Sequence, residues 1–95
     1  RKFARVFGGF EPAVPLHAGA IARRRGELAK ARVLLAAAMT AADRLVQRWE
    51  QGATRWEMAL TWPEGGAERQ RWADEAAAAF EAMGAHADAQ RARAV

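Results

Sequence analysis

The sequence predicts an all-α fold of stacked antiparallel helical hairpins, and composition and two spacing patterns carry that prediction. Alanine fills 26 of the 95 positions, against five Val, three Thr and one Ile. That mixture favours helix and offers little to a strand. A ladder of mostly small residues, Gly19, Ala22, Gly26, Ala31, Leu35 and Ala38, runs over two abutting helical stretches, so one helix can lie close against the next. From Leu28, side chains at Ala31, Leu35, Ala38, Ala42, Leu45 and Trp49 recur in steps of three and four, a narrow stripe with a period of about 3.5. A hairpin of this kind cannot bury its apolar face alone and gains stability by stacking on neighbours.

Each element follows in order. Residues 1–12 (RKFARVFGGFEP) are basic and aromatic, interrupted by Gly8-Gly9 and stopped by Pro12; they form an extended arm in this reading. Pro15 can open a helix in its first turn. Leu16 to Arg25 then makes a short helical run that Gly26 ends. The regular stripe follows from Glu27, with Lys30, Arg32, Asp43, Arg44 and Arg48 on its outer face.

Gly52 leaves two outcomes open. The stripe continues through Trp56 and Ala59, which allows one long helix over 27–62. A helix end or kink at Gly52, after the polar pair Glu50-Gln51, is the favoured outcome. A Gly inside a helix costs only about 1 kcal/mol relative to Ala, so propensity alone does not decide. Pro63-Glu64-Gly65-Gly66 is a turn. A further helix starts near Ala67 with Trp72, Ala76, Phe80 and Met83 on one face, and Gly84 caps it. Ala85 to Val95 begins another helix, with Arg91 and Arg93 suited to its last turn.

Composition excludes several classes of function. A chain of this length buries a modest core and would draw stability from a larger assembly. It opens at Arg1 without Met and closes on helical sequence, so residues 13–95 are expected to be a repeat segment of a larger protein or assembly. With no Cys there is no disulfide, thiolate metal site or cysteine nucleophile, which fits a cytoplasmic location. The uncharged run Val33 to Ala42 is too short to span a bilayer. The net charge of +4 is uneven: residues 1–50 carry ten Lys/Arg against four Asp/Glu, and residues 51–95 five against seven. The chain is basic at one end only, which weakens a nucleic-acid reading without removing it.

On these residues the chain resembles the tetratricopeptide-type helical repeat. Ala18-Gly19 and Ala22 stand where a first helix is crossed, Gly26 marks the turn, and Ala31, Leu35 and Ala38 make the small-large-small run of a second helix. A second copy of that run lies 45 residues on, as Ala76, Phe80 and Met83, with a turn at Pro63 and a short helix containing Trp56 in between. The texture of 13–95 is similar to the repeats of large bacterial regulators that link a nucleotide-binding ATPase domain to a LuxR-type DNA-binding domain. Pro15 stands where the family has an early aromatic, and no Pro terminates the first unit.

The candidate functional residues are few. Arg23-Arg24-Arg25 ends the first helix, and in stacked pairs the first helices line the concave surface. With Ala20 and Leu16 one and two turns earlier, Arg23 and Arg24 could hold an acidic peptide; their plainer role is to complement the helix dipole. Trp49, Trp56 and Trp62 are candidate partner contacts, since interfaces are enriched in Trp. The plainer alternative has them capping a thin alanine core. The arm could stack on bases or lie at an anionic membrane surface, or serve as a linker. His17 and His86 have no second ligand at metal spacing. Glu50, Glu57 and Glu64 are expected on an exposed polar face, and no glycine-rich phosphate loop is present.

The expected function is therefore non-catalytic, without cofactor or metal: a protein-interaction or scaffold module of a bacterial regulatory protein. Its partner-binding residues would be Leu16, Ala20, Arg23, Arg24, Trp49 and Trp56. Two alternatives stand beside it. One is a small helical subunit associating by coiled-coil packing through a continuous 27–62 helix. The other is accessory nucleic-acid binding through the basic N-terminal half.

Overall fold

The computed structural model describes residues 13–94, so the expected arm at 1–12 lies outside the described residues. Five helices follow in order: α1 (Ala13–Arg24), α2 (Leu28–Leu45), α3 (Arg48–Leu60), α4 (Ala67–Ala82) and α5 (His86–Arg93). Among the described residues there is no strand. The substantial contacts join helices that follow one another along the chain, with a lighter contact between α1 and α3. Short connections make each neighbour antiparallel. The result is a slab of 41 × 31 × 16 Å made of two hairpins, α1–α2 and α3–α4, with α5 continuing the stack.

Both hairpins close on the same device. Gly19 of α1 sits so near α2 that a Cβ there would lie 2.7 Å from Leu35 Cγ. Gly52 of α3 repeats this against α4, where a Cβ would lie 2.5 Å from the Phe80 ring. Small residues extend the approach along each seam: Ala31, Ala38 and Ala42 on α2 and Ala73, Ala76 and Ala77 on α4 are all buried. Alanine buries little apolar area per residue, so this core gains from close backbone approach and dispersion more than from bulk.

The long helix over 27–62 does not form, and the chain does not break at Gly52 either. The helix ends at Val46, in the left-handed region at φ 54, and resumes at Arg48. Val46 N–H reaches Asp43 O at 3.3 Å and Gln47 N–H reaches Ala42 O at 2.9 Å. The same pair of bonds closes α1 through Gly26 and Glu27, and closes α4 through Gly84 and Ala85, the Schellman pattern of a helix end. The apolar stripe conceals this turn because Leu45 and Trp49, its members on either side, are exposed rather than buried. Gly52 remains helical because its missing side chain makes room for Phe80.

Polar ties fix the stacking. Arg23 Nε donates to Glu57 Oε1 at 2.7 Å, joining α1 to α3. Asp43 and Arg55 pair at 2.9 Å between α2 and α3, and Glu81 and Arg93 pair at 2.9 Å between α4 and α5. Arg32 of α2 donates to the Thr61 hydroxyl and carbonyl and lies 3.7 Å over the Trp62 ring, pinning the α3–α4 connection. Among the described residues no helix is long and apolar enough to cross a membrane, and no group of side chains could hold a metal ion.

Candidate functional site

Stacking places α1, α3 and α5 side by side, and a groove of about 450 Å3 opens along them. Leu16, His17 and Arg24 come from α1, and Trp49, Ala53, Trp56 and Glu57 from α3. Phe80 of α4 reaches through from behind, and Asp88 and Arg91 of α5 close the far side. Because Gly52 admits the Phe80 ring between α3 and α4, Trp49 packs against that ring, with centroids 5.2 Å apart and planes tilted by 48°. The floor is therefore aromatic and the margins are charged. A concave, mostly apolar site with a few oriented polar groups is the usual form of a binding surface.

The charges are unequal in what they have left to offer. Glu57 is taken up by Arg23, and Asp88 pairs with Arg91 on its own helix. Arg24 has no ion-pair partner among the described residues. It stands exposed at the α1 margin of the groove, so it is the cation best placed to meet an incoming carboxylate.

Of the six residues expected to bind a partner, Leu16, Arg24, Trp49 and Trp56 all line this groove. Arg23 borders it only through its bond to Glu57, and Ala20 is buried beneath the surface. Trp49 and Trp56, two turns apart on α3, share the groove face because α3 is helical through Gly52. Trp62 lies under Arg32, away from the groove. Glu50, Glu57 and Glu64 were expected on an exposed face; Glu64 is exposed, but Glu50 is half-buried, and Glu57 is half-buried and bonded to Arg23. Phe80, Asp88 and Arg91 were not nominated. Phe80 carries only a core signal in sequence, and the two α5 residues reach the site through packing that no local pattern encodes.

The chain matches no family model, no curated protein and no solved structure.

Proposed function

We propose that this chain is a non-catalytic protein-interaction module whose groove holds a short segment of another protein. The observation that carries the reading is the groove itself: Trp49, Trp56 and Phe80 form its floor, and Arg24 stands without an ion-pair partner at its margin. A bulky apolar side chain would bury on the aromatic floor while an adjacent carboxylate meets Arg24. The duplicated seating of a large residue against a glycine, Leu35 on Gly19 and Phe80 on Gly52, supports a tetratricopeptide-type repeat. The setting in a cytoplasmic bacterial regulator rests on resemblance of sequence texture.

The test is a selection of random short peptides displayed against the full chain, followed by titration of the enriched peptides by tryptophan fluorescence. The expected outcome is enrichment of bulky apolar residues next to Asp or Glu, with affinity lost in Trp56→Ala at unchanged helical circular dichroism. Absence of any enriched sequence, or enriched peptides indifferent to Trp56→Ala, would overturn the reading.

A further inference from the structure

The turn between α2 and α3 differs from its two counterparts in a way the fold does not need. At the equivalent left-handed position the other turns carry Gly26, at φ 81, and Gly84, also at φ 81. Here the residue is Val46 at φ 54. A β-branched side chain is unfavourable in that conformation. Val46 gains little packing in return, since it is 59% exposed. Strain retained at a position that contributes nothing to the core points to a use outside the fold.

Its surroundings share the same character. Leu45 is 41% exposed and Trp49 46%, so three large apolar side chains crowd one turn at the surface. Met83, 39% exposed, extends the patch, standing one turn beyond the Phe80 that Trp49 covers. Arg44 and Arg48 flank it, both exposed and neither in an ion pair among the described residues. Arg48 is the first residue of α3, where the helix dipole disfavours a cation. The carboxylates close by offer it little: Asp43 is held by Arg55, and Glu50 is half-buried.

We propose that this edge is a docking surface for an anionic lipid membrane. Aliphatic and indole groups enter the interfacial layer while unpaired arginines meet lipid phosphates. Where the remaining chain joins supports the same occupant. The antiparallel stack puts the start of α1 toward the end of the molecule that holds the α2–α3 turn. The sequence that precedes α1, residues 1–12, carries Arg1, Lys2 and Arg5 with Phe3, Phe7 and Phe10 against the single acid Glu11. A second copy of this edge would bring like charges together, and a nucleic acid has no use for exposed Leu, Val and Met.

The test is co-sedimentation of the full chain with vesicles of phosphatidylcholine, with and without phosphatidylserine, set beside binding to a single-stranded and a duplex oligonucleotide. Two variants accompany it: the pair Arg44→Glu with Arg48→Glu, and Val46→Gly, which relaxes the backbone while removing the side chain. Expected are at least tenfold stronger binding to the phosphatidylserine vesicles and its loss at high salt and in the arginine pair. Val46→Gly should bind several-fold more weakly and melt at a higher temperature. Equal binding to both vesicles, no vesicle binding, tighter binding to oligonucleotide than to vesicle, or variants that bind like the parent would each overturn the proposal.

Discussion

The two hairpins use one packing device and reach different ends with it. In α1–α2 the residue seated on the glycine is Leu35, fully buried, and its contact serves only to close the seam. In α3–α4 the residue is Phe80, whose ring passes the glycine, supports Trp49 and becomes part of the groove floor. Their connections differ as well: Arg25-Gly26-Glu27 joins the first pair tightly, whereas the second is joined through 61–66 and pinned by Arg32. The comparison teaches that the glycine sets how closely two helices approach, while the size of its partner decides whether the seam communicates with the surface.

Truncating the two partners should separate these roles most clearly. Phe80→Ala is expected to cost about 4 kcal/mol and Leu35→Ala about 3 kcal/mol, as buried large-to-small changes do. Urea unfolding followed by circular dichroism measures both. Only Phe80→Ala should also remove peptide binding in the fraction that remains folded. Filling the glycines comes next: Gly19→Ala and Gly52→Ala should each cost about 2 kcal/mol, because the inserted methyl overlaps a packed side chain. Adding Phe80→Leu should recover most of the Gly52→Ala loss and none of the Gly19→Ala loss, a coupling that a double-mutant cycle reads directly.

Smaller effects sharpen the comparison at the turns. Val46→Gly should raise stability by about 1 kcal/mol, since it gives the α2–α3 turn the residue its two counterparts already have. The smallest effect concerns Glu81, whose carboxyl is held below its ordinary pKa first by the hydrogen bond from Arg93, then by that residue's charge. A carboxylate with a lowered folded pKa stabilises above its unfolded pKa and loses that contribution as pH falls through the folded one. Stability should therefore show a slight acid-side loss that Arg93→Ala abolishes, measured by thermal melts across the carboxylate range. For so exposed a pair the loss should be close to the limit of detection.

Much of the fold was legible because helix formation here is decided locally. Alanine content, the Gly26 and Gly84 stops and the Pro63 turn each act within a few residues of where they stand. The α2–α3 turn was not legible, since Val46 has none of the chemistry that favours a left-handed helix end. Gly52 misled for the complementary reason: its absent side chain answers to Phe80, 28 residues away. The groove was partly legible. Leu16 and Arg24 on α1, and Trp49 and Trp56 two turns apart on α3, follow from helical spacing. The contributions of Phe80, Asp88 and Arg91 depend on how three helices stack, and spacing along a single helix holds no trace of that.

The measurement that bears most directly on the groove as the functional surface is a titration of the selected acidic-apolar peptides against the parent chain, Arg24→Glu and Arg25→Glu. The two variants carry the same net charge, but only Arg24 lines the groove; reversing Arg23 would instead break its bond to Glu57. Arg24→Glu should weaken binding at least tenfold, about 1.4 kcal/mol or more, while Arg25→Glu stays within about twofold of the parent, a difference of roughly 0.4 kcal/mol. Equal losses in both would reduce the effect to general electrostatics, and unchanged affinity in Arg24→Glu would contradict the assignment of the groove.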